Sequence, residues 1–177
     1  MLTIRFVLLT LCVLILPGCR PSARQPRELI AEATALLEQD SSVTKAWTAE
    51  FGKAFTPENR AQFPANRESM RVHAERITRL LDVSAKLNAQ GAEKFDQAAA
   101  LATEDKAKKG LALFAASLRR DVEITGLFKE QVKLVSNNEI KDRKVFNEKF
   151  MSLTQLIERK KAERDVEQNE AKRLVGL

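Results

Sequence analysis

A chain of 177 residues with 6 glycines, 5 prolines and no tyrosine, dominated by Ala, Leu, Glu, Lys and Arg, has the composition of long helices and excludes a turn-dense, sheet-rich fold. Its 30 basic and 24 acidic residues are interspersed, so the net charge of +6 describes a solvated surface of mixed sign. The concentrated basic stripe and stacking aromatics of a nucleic-acid binder are missing, Trp47 being the sole tryptophan.

The chain opens with one positive charge, Arg5, followed by an uncharged apolar run over residues 6–16 and a Pro17-Gly18 break. That order is the grammar of a secretory signal, and the run falls short of the roughly 20 apolar residues that span a bilayer as a helix. A simple cleaved signal would share the small residue before the cut. Cys12 lies inside this leader, which leaves Cys19 alone in the mature chain with no cysteine to pair with.

The residues Leu16-Pro17-Gly18-Cys19 resemble the bacterial lipobox, with a leucine at minus three, a small residue at minus one and the cysteine that follows the cut. The resemblance covers the leader only. It implies cleavage between Gly18 and Cys19, thioether attachment of a diacylglycerol to Cys19 and acylation of the new amino terminus. Pro17 departs from the Ala, Ser or Thr usual before the glycine. Arg20 stands where an aspartate resembles the inner-membrane retention signal of enteric bacteria, so the expected destination is the outer membrane of a host that has one. Cys19 is then an attachment point in a palmitate-type lipoprotein, not a catalytic thiol. Two or three acyl chains hold a protein firmly where one does not, and Arg20, Arg24 and Arg27 would add attraction to anionic headgroups. The expected organisation is a signal peptide over 1–18, a lipidated cysteine with a short polar tether over 19–25, and a helical bundle domain over 26–177.

Proline suits the first helical position, so a helix is expected from Pro26, with Leu29, Ala33, Leu36, Trp47, Phe51 and Ala54 on its apolar stripe. Asp40-Ser41-Ser42 predicts a weak point or bend there, because short polar side chains compete for backbone hydrogen bonds. Thr56-Pro57 and Phe63-Pro64 predict a break and a connecting loop over 55–66, its phenylalanines covering one end of the core. From Met70 a heptad seam runs through Ala74, Ile77, Leu81, Ser84, Asn88, Gly91, Phe95, Ala98 and Ala102, predicting one long second helix.

The phase then changes to Leu111, Phe114, Leu118, Thr125, Phe128, Val132 and Val135, which requires a turn. Thr103 before Glu104 and Asp105 places it near 103–106, with Lys108-Lys109-Gly110 as a competing helix end. Ser136-Asn137-Asn138 closes the third segment; Ser136 to Glu139 fits a capping box for the next, and Asp142 is the competing cap. The last helix presents Phe146, Phe150, Leu153 and Ile157, after which residues 158–173 are almost wholly charged or amide, with Ala162, Val166 and Ala171 as small exceptions and little core face. Segments of this length make rods of about 40–55 Å. The expected fold is all-α: an elongated up-down helical bundle of about four long helices. A three-helix or open coiled-coil arrangement completed by self-association is the alternative.

The sequence lacks G-x-x-x-x-G-K-[ST], G-x-G-x-x-G, G-x-S-x-G and H-E-x-x-H, and His73, its one histidine, has Met70 three residues before it where a di-metal bundle needs glutamate. No catalytic, metal or cofactor-binding residue is assigned, and a non-enzymatic protein is expected. Two ligand readings stand beside bland ones. His73 with Met151 has the chemistry of b-haem ligation, against a partly buried helix histidine. Trp47 with Phe51 and Phe55 has the chemistry of a binding platform, against core aromatics at helical spacing. The charged run 159–173 offers Arg159–Glu163 and Lys161–Asp165 as i,i+4 pairs, making it a self-supporting surface for an envelope protein partner or else a solvated extension. The function expected by elimination is a lipid-anchored, extracytoplasmic binding, adaptor or structural module of the cell envelope; the other reading is a carrier or sensor holding a small ligand or cofactor in the bundle interior.

Overall fold

The computed structural model describes residues 25–176, and Gly18 and Cys19 lie outside the described residues. Helix α1 spans Pro26–Ala54, with proline at its first turn and the Glu28 carboxylate accepting from the Gln25 N–H at 3.3 Å. It runs unbroken through Asp40-Ser41-Ser42, contrary to the expected weak point. The cause is tertiary: the Asp40 carboxylate accepts from the Ser84 hydroxyl at 2.5 Å across the bundle and so does not compete for its own backbone.

The expected loop over 55–66 contains a one-turn helix, α2, Pro57–Ala61. Thr56-Pro57, read as a break, is also a start, because the Thr56 hydroxyl accepts from the Asn59 N–H at 3.1 Å and proline needs no donor at that position. Phe63 then turns inward and stacks on Phe146, ring centroids 4.1 Å apart, ahead of a cis Phe63–Pro64 peptide.

Helix α3, Arg67–Leu101, buries the heptad seam from Met70 to Ala98, including the polar Ser84 and Asn88. Helix α4, Asp105–Ser136, begins after a turn of only three residues. The turn falls slightly before the expected 103–106, since Asp105 and Lys106 are already helical and Lys108-Lys109-Gly110 lies inside α4. Gly110 has a packing role: a β-carbon there would stand 2.6 Å from Val175 Cγ1 and 3.3 Å from the Ala171 carbonyl oxygen. Asp142, and not the Ser136–Glu139 box, caps α5, Arg143–Val175, accepting from the backbone of Lys144 at 2.5 Å and Val145 at 3.4 Å. Asn137 takes the Glu139 N–H instead, at 2.9 Å, and Ile140 is buried beneath that loop.

The four long helices form an up-down-up-down bundle in which α3 packs along α1 and α4, and α4 packs along α5. Between α1 and α5 the contact is made by rings, Phe51 and Phe55 lying 6.2 and 5.4 Å from Phe150. No strand occurs among the described residues. The core divides in two. One cluster, at the end where α1 and α4 finish, holds Phe55, Phe63, Met70, Ile77, Leu81, Val135, Phe146 and Phe150. The other, at the end where α1 and α4 begin, holds Leu29, Ile30, Ala33, Ala92, Phe95, Ala98, Ala99, Leu111, Ala115 and Leu118. The last turns of α5 reach this second end, where Ala171 is fully buried, so the charged run has more core contact than its sequence suggested.

Candidate functional site

Between the two apolar clusters lies a polar waist to which every long helix contributes. Asp40 of α1 holds Ser84 of α3, whose carbonyl accepts from Asn88 Nδ2 at 3.0 Å. Ser84 and Asn88 are buried within the heptad seam, where each polar group needs its partner to offset lost hydration. Asp121 of α4 receives the guanidinium of Arg164 of α5 at 2.8 Å, and the same guanidinium reaches Asp165 at 2.8 Å. The Thr125 hydroxyl donates to the Asp121 carbonyl at 2.7 Å, closing the layer. Burial pushes the Asp121 carboxyl above the ordinary range; Arg164 opposes this, while the charges of Asp40 and Asp165 add to it. The waist therefore sets the charges of Asp40 and Asp165 against that of Asp121, with the one guanidinium of Arg164 attracting it. It can fix helix register and take up a proton in acid.

Of this layer, Ser84 and Asn88 were visible as a polar gap in a heptad seam. Asp121 and Arg164 were not, because each sits in a run of charges where nothing in the sequence marks the one that turns inward.

His73 lies against Glu50 of α1, Nδ1 to Oε2 at 2.7 Å, and Lys53 reaches the other oxygen at 3.0 Å. Hydrogen bonds from His73 and then Lys53 hold the Glu50 carboxyl down at about 2. Met151 is half exposed on α5 with its sulfur 3.9 Å from the Arg60 guanidinium, so the structure gives His73 and Met151 separate partners. The Trp47 ring packs on Phe128 at 4.8 Å and edge-on to Phe51 at 6.4 Å; Phe51 in turn stacks on Phe55 at 4.6 Å. These aromatics belong to the core, although Trp47 Nε1 is buried without a hydrogen-bond partner. Two shallow surface grooves of about 420 and 330 Å³ lie between α4 and α5 and between α3 and α4, and neither is lined by His73 or Trp47.

The charged run of α5 pairs with α4 as well as with itself. Arg120 bridges Glu167 at 2.9 Å and Glu163 at 3.3 Å, and Lys160 bridges Glu123 at 2.9 Å, its hydrogen bond pulling that carboxyl below the ordinary range. Glu163 and Asp165 are thereby engaged by Arg120, Lys160 and Arg164 in place of the i,i+4 partners Arg159 and Lys161. Lys161 instead pairs with Glu158 at 2.8 Å and sits 5.5 Å over the Phe128 ring. Val166, in the same run, is 69 % exposed.

Among the described residues no helix is long and apolar enough to cross a membrane, and no three His, Cys, Asp or Glu side chains gather as a metal site. Compared with family models, with curated proteins and with solved structures, the chain matches none.

Proposed function

We propose that the protein is an envelope lipoprotein, anchored outside the cytoplasm by acyl chains on Cys19, whose helical bundle is a non-enzymatic binding, adaptor or structural module. The observation that carries the reading is the lipobox-like Leu16-Pro17-Gly18-Cys19 standing immediately ahead of a capped helix start at Pro26. A short polar segment between the two suits a tether, and the outer membrane is the proposed destination in a host that has one. The charged face of α5 around the exposed Val166 is the proposed docking side for an envelope protein partner.

Mass spectrometry of the protein from its native envelope tests the anchor. The expected mature chain begins at Cys19 and carries diacylglyceryl and acyl mass, and Cys19→Ala abolishes both cleavage and membrane association. An unmodified Cys19, or a mature chain starting elsewhere, overturns the reading. Crosslinking in the intact envelope tests the adaptor role: a discrete partner supports it, and a hydrolytic activity abolished by Asp121→Asn would replace it with an enzyme.

A further inference from the structure

An anchor at Cys19 determines which end of the bundle faces the lipid. Residues 19–25 span at most about 25 Å when fully extended, so the start of α1 stays within that distance of the bilayer surface. The fold brings three other helix ends to that level. Leu29 and Ile30 of α1 share a cluster with Ala98 and Ala99 at the end of α3 and Leu111 at the start of α4, while Gly110 receives Ala171 and Val175 at the end of α5. The end so formed carries Lys106, Lys108 and Lys109 on the first turn of α4, all exposed, with Arg27 and Lys172 partly exposed beside them.

Among the described residues no carboxylate lies within 4 Å of Lys106, Lys108 or Lys172, and Glu170, on whose carboxyl the charge of Lys109 acts, is already held by Arg173 at 2.7 Å. Glu104 and Asp105 stand on the same turn, at the positive end of the α4 dipole, where a carboxylate is favoured without a lysine partner. Leu101, the last residue of α3, is 46 % exposed at the head of that turn. An exposed leucine among these lysines suits the headgroup boundary: the leucine enters it and the lysine stems cross it with their charges at phosphate level.

We infer that the bundle stands on this end, with Lys106, Lys108 and Lys109 seated on anionic lipid headgroups. The inference rests on the anchoring reading above. Each basic residue near an anionic surface contributes about 1 kcal/mol, a factor of about five in association, and the attraction fades within about 8 Å at physiological ionic strength. The acyl chains hold the protein to the membrane, and the lysines set its posture. Trp47, about 30 Å farther along α1, is carried away from the bilayer.

The test uses the mature protein purified from its native envelope, with vesicles of phosphatidylcholine alone and of phosphatidylcholine with phosphatidylglycerol. Flotation with the neutral vesicles reports the anchor. Amine labelling, read residue by residue, reports the posture. Lys106, Lys108 and Lys109 are expected to label about fivefold more slowly on anionic than on neutral vesicles, while Lys141, Lys144 and Lys149 at the far end are unchanged. Joint substitution Lys106→Glu, Lys108→Glu and Lys109→Glu, at exposed positions near a helix start that tolerates acid, is expected to return the amine labelling of Lys172 on anionic vesicles to its rate on neutral ones. Nitroxide-labelled lipid leaves Trp47 fluorescence unquenched. Equal labelling at both ends, or strong Trp47 quenching, on vesicles the protein does float with overturns the inference and leaves the anchor standing. If the protein fails to float with neutral vesicles, the anchor falls; binding to anionic vesicles weakened about a hundredfold by the triple substitution then upholds the basic surface, and unaltered binding overturns it too.

Discussion

The two ends of the bundle are built from opposite materials. Where α1 and α4 finish, rings fill the space between helices: Phe63 on Phe146, Phe146 beside Phe150 at 6.0 Å, and Phe55 on Phe150. Arg67 reinforces this end by donating to the Ile140 carbonyl while lying 4.8 Å over the Phe63 ring, so that two loops are tied together. Where α1 and α4 begin, Ala33, Ala98, Ala115 and Ala171 are fully buried and glycine lets backbones approach. The first end gains from apolar area and ring geometry, the second from close contact that tolerates no added atom. The waist between them pairs its polar groups across the helices, at some cost in dehydration.

Removing a ring should be the most damaging single change. Phe146 is fully buried and stacked between two phenylalanines, so Phe146→Ala is expected to destabilise by about 3–5 kcal/mol, read as a lower urea midpoint. A smaller change fails to remove support from the aromatic end only if the remaining rings collapse into the gap. At the waist, Arg164→Ala leaves the Asp121 carboxylate without its guanidinium and is expected to cost about 1–3 kcal/mol near neutral pH. The folded-state pKa of Asp121 is raised, so the folded protein takes up its proton before the unfolded chain does. The Arg164→Ala deficit should therefore shrink as pH falls through that raised value, and a deficit that grows in acid would contradict the assignment. At the small-residue end, Gly110→Val drives side-chain atoms into the Ala171 backbone and should cost about 1–3 kcal/mol. Gly126 has open space about its α-carbon, so Gly126→Ala should gain up to about 1 kcal/mol from helix propensity. Equal effects at the two glycines would erase the distinction between close-packed and open positions.

Periodicity revealed the long helices because burial on one face imposes it: every member of the Met70 to Ala98 seam is buried. Local chemistry was less decisive. Thr56-Pro57 satisfied the rules for ending and for starting a helix, and the structure uses both, ending α1 and opening α2. Ser136–Glu139 had the right letters for a cap, but Asp142 stands where the chain has already turned around Ile140. The charged run of α5 was opaque for a different reason. Charges show no preference for a face until a partner helix is placed, and here α4 supplies Arg120, Asp121 and Glu123 at matching heights. Of the residues singled out for ligand chemistry, His73 and Trp47 were legible as helical positions, yet their partners Glu50 and Phe128 follow only from the way the helices pair.

The Glu50–His73 contact gives the mildest expected effect, and one opposite in sign to that at the waist. Glu50 is held at about 2 by His73 and Lys53, so the folded protein keeps this charge in acid where the unfolded chain takes a proton. Its contribution is complete above the ordinary glutamate range and disappears as pH falls toward about 2. Glu50→Gln should lower the thermal midpoint slightly at neutral pH and leave it unchanged near pH 2, the two melting curves converging in acid. Both proteins link α1 to α3 through the same helix packing, so a constant offset across the pH range would mean that the glutamate acts through shape alone. Measured beside Arg164→Ala, the pair separates the two kinds of carboxylate in this bundle: one at the edge that stabilises by staying charged, and one at the waist that is easier to bury once neutral.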